Sequence, residues 1–309
     1  MHHTYLNGNI KPSQDTVLGI TDLSLLRGYG LFDYFRTYNG QPFQWDLYWT
    51  RYQNSARMMG LENPISKEDA HEIVLKLLKM SGLDNAAFRF ILTGGYSADS
   101  FTMTKPNLLI SSEDIHPVAQ SQYQIGIKVI AYEYLRDLPE IKSIDYKHLM
   151  MAQPSIKAAA ATDILLHKNG EISELSRSNL FIFKNGVLIT PNRHILNGIT
   201  RQVTLKLAKP YFKIEERPLS MAEFLEADEV FTTSSTKKIL PVTALDKHAF
   251  SNAKIGKQTA FLLNLIEDLT EKWGWLLYQQ IYTEIQQKLR LKNKLTFETV
   301  YWILRETTT

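Results

Sequence analysis

Lys142 is the residue in this chain best placed to do chemistry. It follows a turn containing Pro139 and then Ile141, in the run Asp137-Leu138-Pro139-Glu140-Ile141-Lys142-Ser143-Ile144-Asp145-Tyr146. A lysine held in a partly apolar pocket loses the hydration that favours its ammonium form. Its amine then becomes a usable nucleophile near neutral pH. A free lysine amine is the side chain best suited to forming Schiff bases with aldehydes. Three stretches further along keep it company: Gly170-Glu171-Ile172-Ser173-Glu174-Leu175-Ser176-Arg177-Ser178-Asn179-Leu180-Phe181, then Leu196-Asn197-Gly198-Ile199-Thr200-Arg201, then Phe231-Thr232-Thr233-Ser234-Ser235-Thr236.

A lysine, then Glu-x-x-x-x-Asn-Leu-Phe, then Gly-Ile-Thr-Arg, in that order, resembles the class IV (fold-type IV) pyridoxal-phosphate aminotransferases. That family includes branched-chain aminotransferase, D-amino-acid aminotransferase and aminodeoxychorismate lyase. The resemblance runs to about Trp275 and lies in the ordered set rather than in any one piece. It implies an α+β fold of two domains, a small N-terminal α/β domain and a larger barrel-like α/β domain, with the cofactor between them. It also implies a homodimer.

Pyridoxal 5'-phosphate asks four things of a protein: an amine for its aldehyde, an acid for its ring nitrogen, a cup for its phosphate and walls for its ring. Lys142 is the amine, and once free it is the proton shuttle. Its rival, Lys147, falls in the helix that follows and is expected in solvent. Glu174 is the acid, with Glu171 a decoy that directly follows Asn169-Gly170. Gly198, Ile199 and Thr200 form the cup, where unpaired amides and the helix dipole favour an anion. Arg51, in Trp49-Thr50-Arg51-Tyr52, adds a planar charged fork. Ser234 and Ser235 supply hydroxyls, Leu196 packs under the ring, and Tyr146 stands near the phenolic oxygen.

The substrate side follows from the same resemblance. Phe32 and Arg36 lie in a stretch similar to the Phe-Glu-x-x-Arg of branched-chain enzymes. Arg89 matches the arginine of their Tyr-x-Arg motif, which reads the side-chain carboxylate of glutamate, although position 87 is alanine here. Thr236 completes the set. The D-amino-acid branch carries an arginine and a histidine after its equivalent strand, whereas this chain has Gly94-Gly95-Tyr96-Ser97-Ala98-Asp99. The expected reaction moves an amino group between a hydrophobic L-amino acid and a 2-oxo acid such as 2-oxoglutarate. The alternatives are a D-amino-acid aminotransferase or an aminodeoxychorismate lyase on the same scaffold. A non-catalytic binding protein with a structural lysine is the rival of another class.

Composition narrows the partners. The chain has 309 residues, a net charge of +3 and no cysteine. The charge is too mild to argue for nucleic acid. Without cysteine there are no disulfides, thiolate metal sites or cysteine catalysis, and no metal is expected. No signal pattern or membrane-length apolar run is evident, so a cytoplasmic protein is expected.

The organisation expected is a small domain over 1–116, a linker at 117–122 that overlaps the polar stretch 112–120, a cofactor domain over 123–275 and a helical extension over 276–309. Asn7-Gly8 and Asn39-Gly40 mark hairpins. Asp46 is expected to cap a helix running to about Met59, and Ser66-Lys67-Glu68-Asp69 resembles a capping box. Strands are expected at 31–38, 41–45, 87–93, 107–111, 124–132, 163–167, 179–184, 187–190, 213–217 and 228–233, and helices at 146–160, 199–209 and 260–272.

Overall fold

The computed structural model describes residues 2–274. Trp275 and the expected extension over 276–309 lie outside the described residues. The chain builds two sheets. In the first half, β1 (His3–Leu6) and β2 (Asn9–Pro12) turn on Asn7 and Gly8, both at positive φ as a tight hairpin requires. Then come α1 (Leu23–Arg27), β3 (Gly30–Tyr38), the two-residue β4 (Gln41–Pro42), α2 (Trp45–Met58), α3 (Lys67–Ser81), β5 (Ala87–Thr93) and β6 (Leu108–Glu113). The strand order is β2-β1-β6-β5-β3-β4. Helices α2 and α3 bury Tyr48, Tyr52, Val74 and Leu77 against Phe35, Phe88 and Phe90. The opposite face carries Phe32, Tyr34, Arg89 and Ile91 at alternate positions of adjacent strands.

The second half adds α4 (Gln120–Ile125), β7 (Ile127–Glu133), α5 (Lys147–Met151), α6 (Gln153–Ala158), β8 (Asp163–Lys168), β9 (Glu171–Leu175), β10 (Asn179–Lys184), β11 (Val187–Thr190), α7 (Ile199–Ala208), β12 (Lys213–Glu216), β13 (Leu219–Ser220), α8 (Met221–Leu225), β14 (Glu229–Ser234), β15 (Lys238–Leu245), β16 (His248–Ala249) and α9 (Lys257–Glu271). Its sheet has ten strands in the order β12-β11-β10-β14-β15-β7-β8-β9-β13, with β16 on β15. The pairings β11–β12, β15–β7 and β7–β8 are parallel and the rest antiparallel. Helices α7 and α9 cover one face through Val203, Leu262 and Ile266.

Several local expectations are corrected. Gln44, at positive φ, caps α2, and Asp46 sits in the first turn, where a carboxylate suits the helix dipole. The returning strand at 41–45 is only Gln41–Pro42. Ser112 and Glu113 belong to β6, and α4 occupies the start of the expected strand at 124–132. The single helix over 146–160 is two short ones, because Pro154 starts a new helix near its first turn. Four strands lie outside the expected set: β9, the two-residue β13 and β16, and β15. Lys237-Lys238 and Pro241 disguise β15. Its ladder with β7 begins at Val242, after the proline that cannot donate to it.

Candidate active site

Lys142 sits between β7 and α5, yet its backbone is stitched to the first sheet. The amide of Phe32 donates to the Lys142 carbonyl at 2.8 Å, and the amide of Ile144 donates to the Gly30 carbonyl at 3.1 Å. Ile141, just before it, is 2% exposed and packs into the core of the first half. The lysine is therefore held from both sides of the chain. Its Nζ lies 4.4 Å from the centre of the Phe32 ring. It lines a cavity of about 680 Å³ whose walls come from both sheets. Burial, reinforced by the charge of Arg51, lowers its pKa to about 7. Lys147 is exposed and paired with Asp145 at 3.0 Å, and it does not line the cavity.

Glu174 is 5% exposed on β9. It accepts from Arg136 Nε at 3.0 Å, Asn179 Nδ2 at 3.1 Å and the amide of Leu196 at 3.2 Å. Burial raises its pKa and the charge of Arg136 opposes the rise. The spacing Glu-x-x-x-x-Asn has a local cause. The Leu175 amide donates to the Ser178 carbonyl at 2.8 Å, closing a tight turn from β9 into β10. That turn sets Glu174 and Asn179 side by side. Asn179 also donates to the Leu196 carbonyl at 2.8 Å, so one amide ties the acid to the loop before α7. Arg136 donates as well to the carbonyls of Ile141, at 3.2 Å, and Pro139. It thus joins the acid to the lysine's own loop.

The candidate anion seat is the start of α7. Gly198 caps this helix, and Ile199 and Thr200 follow with first-turn amides that have no partner inside the helix. A Cβ at position 198 would lie 2.0 Å from Asn179 Oδ1, so glycine is required by space. Arg51 reaches the same wall from α2. Its Nη1 donates to the Asn197 carbonyl at 3.4 Å, while Nε and Nη2 hold Asp33 at 2.9 and 2.5 Å. Ser235 shares a hydrogen bond of 2.6 Å with the hydroxyl of Tyr48. Thr233 also lines the cavity, and its buried hydroxyl has no hydrogen-bond partner.

The structure gathers Phe32, Arg51, Arg89, Lys142, Tyr146, Glu174, Leu196, Gly198, Ile199, Thr200, Ser234, Ser235 and Thr236 around this one cavity. Arg36 is not among its walls. Its guanidinium lies 4.4 Å from the centre of the Tyr38 ring, with Nε buried and unpaired. Arg89 is at the cavity but is held by Glu113. Sequence reasoning missed Arg136, Asp33, Glu113 and Thr233. Asp33 was within reach, because alternation along β3 puts a carboxylate on the buried face opposite Phe32 and Tyr34, where it needs a cation. Arg136 carried no such signal, since it lies on another loop from its partner.

Comparison with known proteins agrees with this geometry. The family model for class IV amino-transferases matches residues 30–245. A Methanocaldococcus jannaschii protein named "Putative branched-chain-amino-acid aminotransferase" is 31% identical over 89% of this chain and 99% of its own. A D-alanine aminotransferase of Listeria monocytogenes is 30% identical over 88% of this chain and 98% of its own. Among solved structures, Escherichia coli branched-chain amino acid aminotransferase superposes with a TM-score of 0.82 at 23% identity, covering 88% of this chain and 97% of that one, which speaks for the fold. A family match over most of the chain, with lysine, acid and helix N-terminus facing one cavity, leaves a single assignment: this protein belongs to the class IV aminotransferases.

Proposed function

We propose that this chain moves an amino group between a hydrophobic L-amino acid and a 2-oxo acid, with Lys142 as the catalytic amine. The observation that carries the reading is the meeting of Lys142, Glu174 and the α7 N-terminus around one cavity. Class IV aminotransferases work with pyridoxal phosphate, and the residues present suit it. The unpartnered Thr233 hydroxyl and the first-turn amides of α7 offer a phosphate its donors. Bound there, the cofactor supplies an aldehyde and a ring that accepts the electron pair left when a Cα–H bond breaks.

The chain's own residues do the rest. Lys142 Nζ, neutral above about pH 7, would take the proton from the substrate's Cα and deliver it to the carbon that carried the cofactor's aldehyde. Glu174, fixed by three donors, would take the ring nitrogen and keep a proton on it. Arg51 and Ser235 would hold the phosphate. Phe32, Ile91 and Val118 present apolar surface to a substrate side chain and exclude water, which supports a hydrophobic substrate. Gly94-Gly95-Tyr96-Ser97-Ala98-Asp99 carries neither arginine nor histidine, which argues against a carboxylate trap of the D-amino-acid kind. No helix among the described residues is long and apolar enough to cross a membrane.

The test is a panel of amino donors in both enantiomers, read by 2-oxo acid release. Turnover of leucine, isoleucine or valine in the L form with 2-oxoglutarate is expected. Turnover confined to D-alanine, as its 30% identical relative's name would have it, overturns the substrate assignment. Pyruvate release from aminodeoxychorismate with no amino transfer overturns the reaction. The chain is further read as one half of a homodimer, in keeping with the exposed Ile20 and Phe101 on neighbouring loops. Sedimentation at the mass of one chain would refute that.

A further inference from the structure

On the first sheet's face of the cavity, Arg89 and Glu113 form a pair whose place in the chemistry is not explained by what lies around it. Arg89 stands opposite Ser111 on β6, and Glu113 is two residues further along, so the two side chains meet diagonally across neighbouring strands. The contact is bidentate, Nε to Oε1 at 2.6 Å and Nη2 to Oε2 at 3.0 Å. The Ser111 hydroxyl donates to Glu113 Oε1 at 3.4 Å. Arg89 also lies over the rings of Tyr34, at 5.2 Å, and Phe32, at 5.6 Å. Since Lys142 Nζ is 4.4 Å from the same Phe32 ring, the amine and the guanidinium are within about 10 Å of each other. A substrate whose reacting carbon sits at Lys142 brings a carboxylate at the end of a short side chain to Arg89. In this chain Glu113 already occupies the Nε–Nη2 edge of the fork and sets its negative charge beside the rest.

We propose that Glu113 is a specificity-determining residue: an internal carboxylate that competes with a dicarboxylic substrate for Arg89. The inference rests on the cavity being the amino-transfer site and names how that site sorts its substrates. Exchange is feasible because neither partner is buried. The side chains are 36% and 33% exposed, and an ion pair this exposed is held only weakly against water or a competing carboxylate. Exchange is also costly, because the displaced Glu113 carboxylate stays beside the incoming one and the two repel. A substrate with an apolar side chain incurs none of this. It packs on Phe32 and Ile91 and leaves the pair closed. Glu113 thereby weakens dicarboxylate binding selectively, and removing its charge lifts the penalty while sparing Arg89.

The experiment titrates glutarate and 4-methylpentanoate, which lack the oxo group and cannot turn over, into the holoenzyme by calorimetry. Wild type, Glu113→Gln and Glu113→Ala are compared; the alanine variant guards against a glutamine that still bonds Arg89. Both variants are expected to bind glutarate about tenfold more tightly, the size of one charge-assisted contact, while 4-methylpentanoate stays within about twofold. The KM for 2-oxoglutarate relative to that for 4-methyl-2-oxopentanoate shifts by the same factor. Arg89→Met in either background removes the gain. Glutarate affinity that does not change, or that changes together with 4-methylpentanoate affinity, overturns the proposal and leaves Glu113 a structural partner. A wild-type protein that transfers no amino group from any donor overturns the underlying reading instead, and the two titrations still decide whether Glu113 competes for Arg89.

Discussion

Arg136–Glu174 and Arg89–Glu113 are built from the same two residue types and face the same cavity, but their surroundings differ. The first pair is 12% and 6% exposed, and each partner has further hydrogen bonds to the loops beside it. The second is 36% and 33% exposed, and its carboxylate has one weak additional donor, Ser111. A buried pair with every donor and acceptor occupied is a fixture, because separating it strands a charge away from water. A half-exposed pair is exchangeable, since water or a ligand can replace either partner. On the proposed function, the second sheet would offer a fixed acid for the cofactor, and the first an arginine that a substrate could recruit. Lys142, held between the two sheets, addresses both.

The strongest way to break this picture is at the amine. Lys142→Ala is expected to lower turnover by 10²–10⁴-fold or more, roughly the weight of a positioned proton carrier. It should also abolish the visible absorbance that follows addition of pyridoxal phosphate. Lys147→Ala should leave both near wild type; the opposite pattern would move the chemistry to position 147. The pH response sharpens the point. Below about pH 7 the Lys142 amine is protonated and inert, and above it the amine is neutral. Reaction of the apoprotein with pyridoxal phosphate, trapped by borohydride at increasing pH, should rise through about 7 and level off. A solvated lysine would keep gaining reactivity up to about pH 10.

Next in size is the contrast between the two pairs. Arg136→Met strands Glu174 in a buried setting and should lower unfolding free energy by about 3–5 kcal/mol in urea titration. Glu113→Ala breaks the half-exposed pair and should cost about 1 kcal/mol or less. Equal losses would mean that burial does not separate the two. Between these two losses lies Gly198→Ala. Its new methyl group must push Asn179 aside, at about 1–3 kcal/mol for overpacking. The loosened Asn179 should weaken pyridoxal phosphate binding, measured by equilibrium dialysis.

Much of the site was legible in the chain because its motifs are local turns. Glu174 and Asn179 are five residues apart and meet across one tight connection, and Gly198 opens a helix whose start is visible in the sequence. Arg51 was reached through resemblance, and the fold places it at the seat. Arg136 was not legible: it meets Glu174 only because the loop after β7 folds back across β9, and no spacing announces such a meeting. The failure at Arg36 has a different cause. Alternation puts it on the same face as Phe32 and Tyr34, but its long side chain leans over Tyr38, away from the cavity. Strand β15 was hidden by a proline and paired lysines that read as a turn when the neighbouring strands are unknown.

The main-chain seam between Gly30–Phe32 and Lys142–Ile144 has one more consequence. Both of its hydrogen bonds run between backbone groups, so the register of the amine is indifferent to which side chains stand at 143 and 144. Only loss of a donor nitrogen would unfasten it, and proline is the residue that lacks one. Proline at 144 would therefore remove one of the two bonds that fasten the lysine's loop to the sheet while leaving every reacting group in the protein intact.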